Sequence, residues 1–226
     1  MLASTEVTAH PFLPGVRLRV ARDLIALWEQ AEKAMGRGEL APPFWATAWP
    51  GGLALARYLL EHPETVVGRP VVDVATGCGV VAVAAALAGA RSVTAYDTDA
   101  FAVDAARTNA SLNRVRIAAS QADVRTVAAP SGALVTAGDV FYDRDISTAM
   151  RLGLDALAAG GCEVLVGDPS RSYLPEDRLE VVATFEIGVD ADLEQQAVMT
   201  TVVARWSGTS EPTLVMSRDR KAPRIG

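Results

Sequence analysis

Val71–Gly79 reads VVDVATGCG, and Val93–Asp99 reads VTAYDTD. An apolar strand ends in an acid, Asp73. A turn of small residues follows, containing Gly77 and Gly79. A helix pattern opens at Val80, and a second apolar strand ends in another acid, Asp97. Strand, glycine turn, helix, strand and terminal acid form the opening half of a nucleotide-binding βαβ unit. The pattern narrows the ligand to one that carries an adenosine.

Outward from this unit the alternation continues. The first strand spans Pro70–Val74, its helix Val80–Ala88, the second strand Ser92–Tyr96 and the next helix Asp99–Leu112. A short strand is expected over Arg116–Ala119 and another over Ala133–Thr136. A helix over Ile146–Ala159 and a strand over Cys162–Val166 complete the series. Near-continuous apolar strands separated by helices indicate a parallel sheet covered on both faces. Leu179–Ile187 and Thr200–Trp206 are rich in β-branched residues with no long helix between them, so they read as an antiparallel hairpin added to that sheet. Gly208–Gly226 carries no assignment.

The first residues differ. Leu24, Leu27, Trp28, Ala31, Ala34 and Met35 recur at helical spacing, and Gly36 and Gly38 stop that helix. Leu40–Gly52, LAPPFWATAWPGG, reads as an irregular loop, with helix resuming over Leu53–Leu60. The chain is thus expected to be a single domain over residues 1–226, with residues 1–52 as an N-terminal appendage.

Composition sets limits. The chain has 226 residues, half of them hydrophobic, and a net charge of −6 with 21 dispersed Lys and Arg. That size and apolar content suit one α/β domain. Dispersed basic residues argue against a nucleic-acid footprint, which needs a clustered basic face. The basic stretch Arg218–Arg224 reads as a solvated tail. Two distant cysteines, Cys78 and Cys162, and two histidines, His10 and His62, give no metal-ligand spacing. No signal-peptide pattern opens the chain, and the apolar run Val80–Ala90 is too short to span a bilayer. The expectation is a reduced, soluble, cytoplasmic protein with no metal.

Two cofactors fit the turn. Gly77, Gly79 and Ala82 satisfy G-x-G-x-x-G/A, and Asp97 lies about twenty residues on, as in nicotinamide-dinucleotide sites. Asp73 opposes that choice, because an acid beside the turn repels a pyrophosphate. S-adenosylmethionine carries no phosphate, and its methionine ammonium favours an acid there. In this reading Gly77 and Gly79 let the backbone approach the ligand and adopt positive φ. Asp97 accepts both ribose hydroxyls, in bonds contributing roughly 1.5–3 kcal/mol. Asp123 either binds the adenine amino group or is a surface turn acid.

The run D-x-A-x-G-x-G from Asp73 to Gly79 resembles the first motif of seven-β-strand S-adenosylmethionine-dependent methyltransferases. Those enzymes usually have Gly where this chain has Ala75, and Ala is tolerated there if φ stays negative. Five segments extend the likeness: HPFLPGVRLRVARDLIALWEQAE (10–32), PPFWATAWPGGLALARYL (42–59), DTDAFAVDAARTNASLN (97–113), AGDVFYD (137–143) and VGDPSRSYLP (166–175). Together they resemble the electron-transfer-flavoprotein β-subunit lysine methyltransferase group, over roughly His10–Trp206. Gly15 departs from the acid expected after that proline.

The resemblance implies a Rossmann-like seven-stranded sheet, S-adenosylmethionine as methyl donor and S-adenosylhomocysteine as product. It implies a protein partner, the flavoprotein β-subunit or a similar protein, methylated on lysine. Asp73, Ala75, Gly77, Gly79, Asp97, Thr98 and Asp123 would hold the cofactor, with Trp49 closing its pocket. Asp139 and Tyr142 match an acid-x-x-aromatic motif that lines the target-lysine channel, and Phe141 would help wall it. Asp168 and Arg171 match the group's own motif after the fifth strand and would face the acceptor.

A lysine must lose its proton to attack. With a reference pKa of ~10.4, about one in a thousand is neutral near pH 7.4. A sulfonium nearby and burial both lower that pKa, and Asp139 would orient the amine.

Structural readings stand beside these. Asp139 could cap the loop before Ile146, Arg171 could merely pair with an acid, and one of Phe141 and Tyr142 is expected in the core. Trp28 and Trp45 are read as structural. Cys78, with no adjacent base, is read as a small packing residue. A small-molecule N- or O-methyltransferase remains an alternative. A nicotinamide-dependent reductase is the alternative of another class, though the chain has no Tyr-x-x-x-Lys.

Overall fold

The computed structural model describes residues 4–36, 40–194 and 196–207. In chain order the main elements are β1 (Thr5–Ala9), β2 (Arg17–Ala21), α1 (Leu24–Met35), α2 (Pro50–Glu61), β3 (Pro70–Val74), α3 (Val80–Leu87), β4 (Ser92–Asp97) and α4 (Ala100–Leu112). Then follow β5 (Ala118–Gln121), β6 (Leu134–Gly138), α5 (Arg144–Ala159), β7 (Glu163–Asp168), β8 (Leu179–Gly188), α6 (Ala191–Glu194) and β9 (Val198–Trp206).

Seven strands form one sheet in the order β5-β4-β3-β6-β7-β9-β8. The pairs from β5 to β7 are all parallel. β9 is inserted between β7 and β8 and is antiparallel to both. The expected hairpin therefore forms, but it enters the sheet through its second strand, which alone of the seven runs backwards. The strand order reverses at β3 and β6, and ligands bind outside the carboxyl ends of strands at such a switch point.

Alternation along each strand divides the core in two. Val71, Leu134 and Leu165 face one cluster, with Leu53, Leu55, Val81 and Val83 from α2 and α3. Val72, Val135, Val164 and Val166 face the other, with Leu154 and Leu157 from α5. Both faces are covered, which is why these strands read as unbroken apolar runs. Acidic N-caps start three helices: Asp23 accepts from Ala26 N, Asp99 from Phe101 N, and Asp143 from Asp145 N and Ile146 N.

The structure corrects the reading of the N-terminal region. β1 and β2 form a separate antiparallel pair. α4 holds the free edge of β2 with amide side chains: Asn113 Oδ1 accepts from Arg17 N at 2.9 Å, and Asn109 Oδ1 accepts from Arg19 N at 2.7 Å. Leu13, Val16 and Leu18 are buried in the first cluster. α2 begins at Pro50, not Leu53. Its two leading glycines serve close approach: a Cβ on Gly51 would lie 2.2 Å from Gly167 O, and one on Gly138 would lie 2.8 Å from Gly52 Cα. Trp28 is only half-buried and donates from Nε1 to Leu40 O at 2.9 Å. Gly36 ends α1 at φ +62°, whereas Gly38 and residues 208–226, with their basic stretch, lie outside the described residues.

Among the described residues no helix is long and apolar enough to cross a membrane, and no group of three His, Cys, Asp or Glu could hold a metal ion. Cys78 and Cys162 are unbonded and buried.

Candidate active site

A cavity of about 560 Å3 opens at the carboxyl ends of the parallel strands. Trp49, Ala75, Gly77, Asp97, Thr98, Asp123, Asp139, Tyr142 and Arg171 line it. Asp73, Gly79, Phe141 and Asp168 are not among its walls, and each has a structural reason to be elsewhere.

The turn after β3 is tied to β4. Thr76 N donates to Tyr96 O at 3.0 Å, and Gly77 N donates to Asp97 Oδ2 at 2.9 Å. Asp97 Oδ1 accepts from Asp99 N at 3.0 Å. Burial raises the Asp97 carboxyl above its ordinary range, against those N–H bonds. Asp97 thus shapes the turn and keeps a lone pair on each oxygen for a ligand. Ala75 has φ +52°. The expected negative φ is overturned, and the left-handed conformation costs about 1–2 kcal/mol without glycine.

The two glycines divide their work. A Cβ on Gly77, at φ +53°, would meet nothing within 4 Å, so the turn presents bare backbone to open space. A Cβ on Gly79, at φ +80°, would come 2.7 Å from Ala106 Cα. Gly79 therefore lets α3 and α4 approach each other and does not face the ligand.

Asp73 lies beneath the turn, 1 % exposed. Its oxygens accept from Thr76 Oγ1 at 2.5 Å and Thr136 Oγ1 at 2.7 Å. Burial raises its carboxyl to about 6, while those hydroxyls and the Ala82 N–H of α3 oppose the rise. The expected ammonium contact is corrected: Asp73 braces the turn and the start of α3, and its charge reaches the cavity only through the field. Asp123 is a turn acid that also faces the cavity. It lines the cavity, and it caps the next turn through Arg125 N while forming a two-bond pair with the Arg125 guanidinium. Those bonds lower its carboxyl to about 2.

Beside the turn, after the neighbouring strand β6, the wall is built on Asp139, at φ +61° and buried. Its Oδ2 accepts from Gly51 N at 2.8 Å and its Oδ1 from Arg171 Nε at 2.5 Å. The positive end of α2 thus faces the carboxylate. Burial still raises the Asp139 carboxyl above its usual range, opposed by Arg171. Capping of α5 falls to Asp143, not to Asp139. Tyr142 is partly exposed, and its ring lies 5.2 Å from that of Phe44. Desolvation pushes its hydroxyl up to about 12, which keeps it neutral.

Phe141 is corrected to a core residue: fully buried, it stacks on Trp206 with centroids 5.9 Å apart. Asp168 is corrected to a buried support. Its Oδ1 accepts from Arg171 N at 2.6 Å, and its Oδ2 has no partner among the described residues. Burial raises it to about 7. Arg171 does pair with an acid, in fact with two: Asp139 and Glu194. Its guanidinium sits 5.9 Å over the Trp49 ring. Trp49 precedes α2 and donates from Nε1 to Phe44 O at 2.8 Å.

Residues 56–136 match the family model of ribosomal protein L11 methyltransferase (PrmA). The chain is similar to an electron transfer flavoprotein beta subunit lysine methyltransferase of Xenopus laevis, 37% identical over 76% of this chain and 70% of the relative. The protein of that name from Danio rerio is 31% identical over 92% of this chain and 82% of the relative. The chain belongs to the electron transfer flavoprotein β-subunit lysine methyltransferase family. In fold it resembles the magnesium protoporphyrin IX methyltransferase of Synechocystis, solved with bound S-adenosylmethionine, at TM-score 0.51 and 14% identity, over 81% of this chain and 93% of the other. It is an S-adenosylmethionine-dependent methyltransferase.

The residues present fit that cofactor. The cavity wall carries Asp97, Asp99, Asp123, Asp139 and Glu194 against Arg171, which is already paired twice. Such a wall suits a cationic ligand and opposes a pyrophosphate. This family member also lines its cavity with Phe44, Trp45 and Glu194, none of them foreseen as site residues. Trp45, read as structural, faces the cavity and lies near Phe101, at 6.1 Å between ring centroids. The aromatic density of PPFWATAW was the available signal. Glu194 had none, because it arrives from the β8–β9 connection. Cys78 is held inert, its thiol pushed up to about 12 by burial.

Proposed function

We propose that this enzyme methylates the ε-amine of a lysine on a protein, the electron transfer flavoprotein β-subunit or one like it. The observation that carries the reading is the cavity wall after β6, where a buried carboxylate, Asp139, lines the same space as the aromatic groups Tyr142, Phe44 and Trp49. An amine on a long aliphatic stem needs both: apolar walls for the stem and an anionic acceptor at its end. The names of the relatives support the same acceptor.

In this reading Gly77, Thr98, Asp97 and Asp123 hold S-adenosylmethionine, which supplies an electrophilic methyl group on a sulfonium. Asp139 accepts a hydrogen bond from the acceptor amine and aims its lone pair. Tyr142 and Trp49 wall the path and exclude water, so that transfer rests on positioning. Residues 1–226 act as one domain, with 1–52 contributing the aromatic wall. Buried, unbonded Cys78 and Cys162 suit a reducing compartment such as the cytoplasm.

The test is incubation with labelled S-adenosylmethionine, the flavoprotein β-subunit and host extract. Label on a lysine of a protein is expected. Label confined to a small molecule would favour the small-molecule N- or O-methyltransferase and overturn the reading.

A further inference from the structure

Glu194 is a buried acid of the cavity wall that the strand-end pattern does not explain. It ends α6, the short turn between β8 and β9, and its side chain is 7% exposed. Its carboxylate takes both terminal nitrogens of Arg171: Nη1 donates to Oε2 at 2.8 Å and Nη2 to Oε1 at 2.6 Å. Arg171 is held on three other sides. Its backbone N donates to Asp168 Oδ1, its ring-like plane covers Trp49, and its Nε donates to Asp139 Oδ1.

A guanidinium prefers to meet a carboxylate as a two-bond fork. Here that fork is occupied by Glu194, so Asp139 receives one guanidinium bond instead of two. Asp139 has about four lone-pair positions, of which Arg171 Nε and Gly51 N use two. The competition also leaves two carboxylates sharing one guanidinium at this wall.

We infer that Glu194 is a positioning residue for methyl transfer: by engaging both Nη groups of Arg171 it prevents Arg171 from closing a fork on Asp139, and so keeps that carboxylate open to a cationic or amine acceptor. This rests on the amine-acceptor reading above. Glu194 acts through Arg171 and does not itself touch the acceptor. Removing it frees the Nη2 group, which then turns onto Asp139.

The consequence is a particular pattern across variants. Glu194→Ala is expected to lower kcat/KM for the lysine acceptor at least about tenfold, while S-adenosylhomocysteine affinity by calorimetry changes less than about twofold. Adding Arg171→Ala is then expected to restore activity at least about threefold over Glu194→Ala, because the blocking group is gone. A turn that merely closed the cavity would give no such rescue, and a double variant no more active than Glu194→Ala overturns the inference. A carbon-13 titration of the Asp139 carboxyl is independent of any acceptor. In Glu194→Ala and in the isosteric Glu194→Gln it should fall by about one unit or more beyond the fall the same substitution gives in an Arg171→Ala background, where only the lost Glu194 charge acts. A titration without that excess overturns the inference even if the wild type methylates lysine. A wild type that methylates no lysine, with the titration shifted as stated, defeats the acceptor reading and leaves the Arg171 switch standing.

Discussion

Asp139→Asn separates the charge of this carboxylate from its shape. Asp139 accepts from Gly51 N at 2.8 Å and from Arg171 Nε at 2.5 Å. An asparagine keeps one oxygen, so one of those two N–H groups must face an amide NH2. Bonds to a charged acceptor contribute about 1.5–3 kcal/mol each. Breaking a buried ion pair costs about 3–5 kcal/mol when the partner is left alone. Arg171 is not left alone, because Glu194 keeps both of its Nη groups. The expected loss of stability is therefore about 2–3 kcal/mol, read by urea unfolding. The bond to the acceptor amine weakens by a similar amount in the transition state, which lowers kcat/KM roughly 30- to 160-fold. The hydrogen bonds that hold the turn at Gly77 and Asp97 do not use Asp139, so S-adenosylhomocysteine should bind within about threefold of wild type. Labelled methyl transfer and calorimetry on the same sample measure both. Parallel loss of cofactor affinity and activity would refute the reasoning, and so would activity within twofold of wild type.

The glycine turn gives a paired contrast. Gly79→Ala forces a Cβ to 2.7 Å from Ala106 Cα and should cost about 3 kcal/mol in unfolding free energy. Gly77→Ala should cost only about 1–2 kcal/mol, yet weaken S-adenosylhomocysteine binding, because its methyl enters open space at the cavity; equal unfolding losses would contradict this. Ala75→Gly relieves a φ of +52° and should stabilise by about 0.5–1 kcal/mol, the left-handed penalty less the entropy of glycine, with chemical denaturation as the check. Asp168 binds its proton more tightly folded, at about 7, than in an unfolded chain near 3.9. Its contribution to stability is thus fully present below about pH 4 and is lost as pH rises through about 7, by at most a few kcal/mol. Asp73, at about 6, adds a loss of the same sign. Asp168→Asn should flatten the stability profile between about pH 4 and pH 7, and a wild-type profile already flat there would count against the burial of this acid.

Much of the frame was legible because it obeys local rules. The βαβ unit appears at Pro70–Asp97 with boundaries within a residue or two, since apolar runs, small turns and helical spacing act over a few residues. Side-chain direction is less local. Phe141 and Tyr142 are adjacent in sequence and carry similar rings, yet one stacks on Trp206 and the other faces the cavity. Only the path of the chain after β6 separates them. The N-terminal strand pair also escaped notice. Arg17-Leu18-Arg19-Val20 alternates, but its edge is satisfied by Asn109 and Asn113 of α4, a partner some ninety residues away.

By itself the sequence determined the sheet, the glycine turn and the strand-end acids, because each follows from short-range sterics and burial. The tertiary structure decided which acids face the cavity and which brace it. Asp73 and Asp168 turn inward, away from the cavity, while Asp97 and Asp139 line it with oxygens that also accept from Gly77 N and Asp99 N, and from Gly51 N and Arg171 Nε, respectively. It also brought Glu194 and the aromatic segment around Trp49 to the same wall. Those residues are distant in sequence, and a carboxylate's role depends on which donors surround it in space.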